Sequence, residues 1–202
     1  MSTVVEFAQE ITAPMSVIGN WLDNAETKNR VERLTADSLT DLEAFISNDT
    51  DILPPRQAWE RADGFAAWRQ NYAIRRLNPH LRENRRRIVE ELTAAFRAWY
   101  DDKTLDRAVH NLIERLVWSP LEVRLRQRAE ALLLAYAVRC LALMWISGHF
   151  GEGLGVGQPK RTESGWLVPL VRRKTGEPAG TLPLDEQGEI LVSPAAFRES
   201  LK

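Results

Sequence analysis

Apolar positions recur at helical spacing through most of this chain and give way after residue 148 to short alternating runs punctuated by glycine. The greasiest stretch is residues 119–147, SPLEVRLRQRAEALLLAYAVRCLALMWIS. Its first half is amphipathic, with Leu121, Leu125, Ala129 and Leu132 on one face. From Ala131 to Ser147 only Arg139 and Ser147 are not apolar. Ser119 as N-cap, Pro120 at the first helical position and Glu122 completing a capping box predict the start of a helix, and Gly148 predicts its end. A helix apolar on every side is buried in a bundle, buried in an oligomer, or in a membrane. A span needs about 20 apolar residues and tolerates a central arginine badly. The pattern therefore predicts a core helix and no membrane span.

Upstream, helices are predicted over residues 3–11, 15–34, 39–47 (capped by Asp37 or Ser38), 56–77, 80–100 and 104–117. Pro79 is expected to end the fourth. The stripe Leu81, Ile88, Leu92, Ala95, Phe96 and Trp99 marks the inner face of the fifth, and Leu105, Val109, Leu112 and Leu116 that of the sixth. Downstream, strands are predicted over 166–173, 180–184 and 189–192. The fold class expected is mainly α: an irregular multi-helix bundle around one long apolar helix, with a small C-terminal β hairpin or meander. The expected division is a bundle over 1–148, a Gly-rich linker over 149–165 and a β appendage over 166–202.

Charge refines this picture. Residues 1–55 carry ten acids and three bases, whereas residues 56–100 carry ten arginines and five acids. Two explanations follow: an acidic segment packed beside a basic one, or a basic surface for an anionic partner. The lone Cys140 excludes a disulfide framework and a cysteine metal site. With no basic stretch ahead of an apolar run at the N-terminus, a cytoplasmic location is expected.

Three candidate chemistries emerge. Helix 56–77 places Arg61, Phe65, Trp68, Tyr72 and Arg75 on one face, opposite an alanine-rich one, and Arg76 and Arg82 follow. Arginines interleaved with aromatics suit stacking on bases or gripping a protein. This face predicts a non-catalytic binding or assembly subunit for an anionic partner, nucleic acid or acidic protein. An alternative is a small metal-dependent or acid/base enzyme using His110 and Glu114, one turn apart, with His149. A second alternative is a self-associating structural protein, a homo-oligomer burying part of the central helix. The glycines of 149–159 follow a helix C-terminus, where the dipole repels anions, so they predict no phosphate loop. No metal and no cofactor is expected.

Overall fold

A computed structural model of the chain describes residues 16–49, 64–186 and 188–201. The protein is mainly helical, with one long apolar helix and a small C-terminal antiparallel sheet. It divides into two compact units, one holding described residues 16–49 and 64–129, the other residues 130–201. The helix read over 3–11 and the start of the one over 56–77 lie outside the described residues.

In the first unit, helix α1 (residues 16–23) meets α2 (Ala25–Asn48) at Asn24. The Asn24 side chain accepts the Glu26 N–H at 2.9 Å and caps α2. The break expected near Ser38 does not occur. Ser38 is fully buried inside α2, and its hydroxyl donates to the Leu34 carbonyl at 2.7 Å.

Two further helical paths pass through their prolines without breaking. Helix α3 (Gly64–Tyr72) runs into a π turn at Ala73–Leu77 and on into α4 (Asn78–Trp99). After a short 3-10 turn at Lys103–Leu105, α5 (Asp106–Ile113) runs into a π turn at Glu114–Trp118 and on into α6 (Ser119–Phe150). Each proline, Pro79 or Pro120, stands two residues past a widened turn. There the α ladder is already interrupted, so the missing N–H removes little. Ser119 is thus no N-cap. Its φ and ψ are −57° and −44°, and its hydroxyl donates to the Glu114 carbonyl at 2.9 Å. Nor is the capping box formed, because Glu122 is held by Trp118 and Arg126.

The π turns keep the apolar stripe facing inward. Buried positions run Trp68, Tyr72, Leu77, Leu81 along one path and Val109, Ile113, Trp118, Leu121, Leu125, Ala129 along the other. Trp21 meets Phe96 edge-on at 5.3 Å between ring centroids, tying α1 to α4. The acids of α2 and the Asp49 that follows it meet arginines from later elements: Asp41 with Arg87 at 3.4 Å, Glu43 with Arg128 at 2.6 Å, and Asp49 with Arg76 at 2.9 Å. Part of the opposed charge of the two sequence segments is thereby satisfied internally.

In the second unit, β1 (Leu154–Val156) and β2 (Lys160–Thr162) pair with successive parts of β3 (Gly165–Arg172), and β4 (Pro178–Leu184) also pairs with β3, all antiparallel. Trp166, Val168 and Leu170 alternate inward from β3 and join Leu182 and Leu184 of β4. They pack with Val138, Ala142 and Ile146 of α6 and with Phe197 of the last helix, α7 (Pro194–Ser200). Gly165 has φ +141°, and a Cβ there would collide with the Leu184 carbonyl, so the turn into β3 requires glycine. The third predicted strand reduces to a single bridge between Ile190 and Leu184.

The stretch expected to be a linker, 149–165, instead carries the end of α6, a 3-10 turn at Gly151–Gly153, β1 and β2. Its glycines leave Leu154 and Val156 as an inward pair, buried at 8% and 9% exposure. The sheet claims the apolar half of α6, so the second unit begins at Glu130 within that helix and not at residue 149. That apolar stretch is also long and apolar enough to cross a membrane by length and composition, with a mean hydropathy of 1.7.

Candidate functional site

The first unit contains a cleft of about 630 Å³ built on both π turns. Ile74 and Asn78 line it from one path, and Glu114, Trp118 and Ser119 from the other. Arg82, Arg85, Glu122 and Arg126 complete the polar lining. A π turn inserts one residue into a helix and turns side chains out of the regular ladder, which is why such turns recur at binding sites.

The charged groups of the cleft are ordered by one another. Arg85 Nε donates to both Glu114 carboxylate oxygens, at 2.7 and 2.9 Å. Arg126 donates through Nε and Nη2 to Glu122 Oε1, at 2.9 and 2.7 Å, and through Nη1 to Asn78 Oδ1 at 3.0 Å. Trp118 Nε1 donates to the other Glu122 oxygen at 2.9 Å. Arg82 makes only a long 3.4 Å bond from Nε to the Asn78 carbonyl and has no carboxylate partner among the described residues. Three guanidiniums thus face two carboxylates, and the surplus cation is exposed.

The residues read as a docking face are only partly brought together. Arg61 and the side chain of Phe65 lie outside the described residues. Trp68 and Tyr72 turn inward, with 9% and 6% exposure, and cannot offer their rings to a partner. The Tyr72 hydroxyl donates to Asp49 Oδ2 at 3.1 Å. Burial, and then the Asp49 carboxylate, push its pKa well above the usual tyrosine range. Arg75 and Arg76 are exposed, but Arg76 is bound to Asp49 by two hydrogen bonds. Arg82 is exposed and lines the cleft. The helical wheel misplaced the face because it assumed an unbroken 100° step through the π turn. Arg85, Glu114, Trp118, Glu122 and Arg126 were not read as one site. The signal that could have found them is the five-residue step in each buried stripe, Tyr72 to Leu77 and Ile113 to Trp118, followed two residues later by proline.

Other charged residues of α4 are also paired. Arg86 binds Glu83 at 2.6 Å, Arg87 binds Asn84 at 2.9 Å, and Glu91 binds Arg33 at 3.0 Å. No protein-family model, curated protein or solved structure matches this chain.

For the enzyme alternative, His110 Nε2 lies 3.7 Å from Glu114 Oε1, but that carboxylate is already clamped by Arg85. His149 belongs to the second unit, where its ring meets Trp145 edge-on at 5.2 Å. Among the described residues, no three His, Cys, Asp or Glu side chains converge as a metal site requires. Burial pushes the Cys140 thiol above its ordinary pKa, which lowers its nucleophilic fraction.

Proposed function

We propose that this chain is a non-catalytic binding or assembly subunit whose cleft takes an acidic segment of a partner protein. One observation supports this most: the two π turns set Arg82, Arg85 and Arg126 around one opening, and Arg82 has no carboxylate partner among the described residues. The two resident glutamates hold Arg85 and Arg126 in fixed geometry, which lowers the ordering cost of binding a carboxylate. They also disfavour a phosphate backbone, which would pass close to both Glu114 and Glu122. An acidic peptide can place single carboxylates between them. The exposed Arg75 on the same helical path supplies longer-range attraction.

The test compares a fluorescent Asp/Glu-rich peptide with a single-stranded oligonucleotide of equal charge. The peptide is expected to bind more tightly, and Arg82→Glu to weaken it by about tenfold or more, a loss of roughly 1.4 kcal/mol, with an unchanged melt. Tighter oligonucleotide binding with a steep salt slope would move the reading to nucleic acid. No binding of either would end it.

Self-association is favoured by a different observation. Leu143 and Met144 stand exposed, at 38% and 47%, on the apolar half of α6. Sedimentation across a concentration series separates the two readings, since a stable homo-oligomer persists without any acidic peptide.

A further inference from the structure

We propose that the second unit binds a small organic carboxylate with an apolar tail, in the cavity between Arg139 and Arg173. The cavity has a volume of about 370 Å³ and is lined by α6, β1 and β3 with the residue after it. Its size is that of an ordinary small-molecule pocket. Among the described residues, its lining holds two guanidiniums and no carboxylate.

Strand geometry orients both arginines. Gly157 donates to the Pro169 carbonyl and Arg173 N–H to the Gly153 carbonyl, so these positions of the β1 strand face β3. By alternation, the Leu154 and Val156 carbonyls point to the open edge. Arg173 Nε binds the first at 3.1 Å and Arg139 Nε the second at 3.4 Å. Two carbonyls two residues apart on a strand lie roughly 7 Å from one another. Arg173 is held to this edge through Nε and Arg139 reaches it by a longer contact, and the terminal η nitrogens of both make no bond to any described residue. Both arginines are exposed, so water screens their repulsion, yet two guanidiniums on one edge with no carboxylate among the described residues of the lining favour an anion that bridges them.

The remaining lining selects what the anion carries. Leu143, Val156 and Val171 give apolar wall, and the Tyr136 hydroxyl and Cys140 thiol lie on the α6 side. Gly155 lets Val171 and Arg173 pack close over the strand: a Cβ there would stand 3.1 Å from Val171 Cγ2 and 3.4 Å from Arg173 Cγ. A fully hydrated inorganic anion gains nothing from the apolar wall, whereas a carboxylate on a short hydrocarbon uses both parts. This assignment also gives a role to Arg139, the one charged residue in the apolar run from Ala131 to Ser147.

The single cysteine of the chain lies in the cavity wall and serves as the reporter. The rate of Cys140 alkylation by iodoacetamide is measured on the full chain with octanoate, 1-octanol or inorganic phosphate. Octanoate is expected to slow alkylation severalfold, and octanol and phosphate much less. Arg139→Gln with Arg173→Gln should remove the octanoate protection, read in each protein as the ratio of its own rates with and without octanoate. Equal protection by octanol, or none by octanoate, overturns the proposal. A second measurement needs no variant: the ratio of iodoacetate to iodoacetamide rates, set against a short cysteine peptide. Two guanidiniums beside the thiol should raise that ratio severalfold, and a ratio at or below the peptide's overturns the proposal independently.

Discussion

Arg76 grips Asp49 along one edge of its guanidinium, with Nε 3.1 Å from Oδ2 and Nη2 2.9 Å from Oδ1. The carboxylate is almost wholly buried, 1% exposed, while the arginine side chain is 46% exposed. Tyr72 donates to the same carboxylate from the interior. Asp49 is therefore the residue that fixes the C-terminal end of α2 to the first π turn.

Asp49→Ala should cost more than a surface ion pair. It strands a buried tyrosine hydroxyl, a loss of about 1–3 kcal/mol. Combining it with Tyr72→Phe should recover part of that loss, because the stranded donor is gone. Urea melts of the four proteins in a double-mutant cycle measure the coupling, and additive losses would show that the hydroxyl–carboxylate bond is unimportant.

His80 should make the first unit sensitive to mild acid. Its ring stacks on Phe45 at 4.2 Å between centroids, and burial holds its pKa below the ordinary histidine value, with Arg87 adding to the shift and Asp41 opposing it. Asn84 explains why the neutral form fits. Its carbonyl oxygen accepts from Arg87 at 2.9 Å, so its amide nitrogen faces His80 Nε2 at 3.2 Å, and that ring nitrogen must accept. The unfolded chain binds the proton first, so this contribution to stability is present above about pH 6.5 and is lost as pH falls below it. Melting temperatures of wild type and His80→Gln between pH 7.5 and 5 should converge as pH falls. Parallel curves would remove His80 as the cause.

The sheet should be needed by the apolar half of α6. A chain ending at Gly151 loses the partners of Val138, Ala142 and Ile146, all within 2% of complete burial. Each uncovered aliphatic side chain forfeits roughly 1–3 kcal/mol of burial. The shortened chain should bind a hydrophobic dye and lose the cooperative melt of this half. A dye-silent, fully cooperative truncation would show that the second unit does not depend on its sheet.

How far the sequence carries can be judged at particular residues. The mainly helical class, the long apolar helix and the C-terminal sheet follow from periodicity, and Leu81, Ile88, Leu92 and Phe96 are buried as their stripe requires. Helix continuity was not legible. Pro79 and Ser119-Pro120 carry ordinary boundary chemistry, and only the backbone reveals that each follows a widened turn. In 149–165 the frequent glycines mask the alternation of Leu154 and Val156, which form a short strand. The cleft could not be read at all, since Arg85 and Glu114 meet across 29 positions of chain.

The two π turns also change what chain length means here. Each stores one residue more than a regular helix would use, and that residue holds the following side chains in phase with the core. Within Ala73–Leu77 and Glu114–Trp118, spacing carries information that residue identity does not. A homologue with quite different side chains in these stretches could keep the same cleft. One shortened by a single position would swing everything beyond it by about 100°, turning the arginine rim away from the opening.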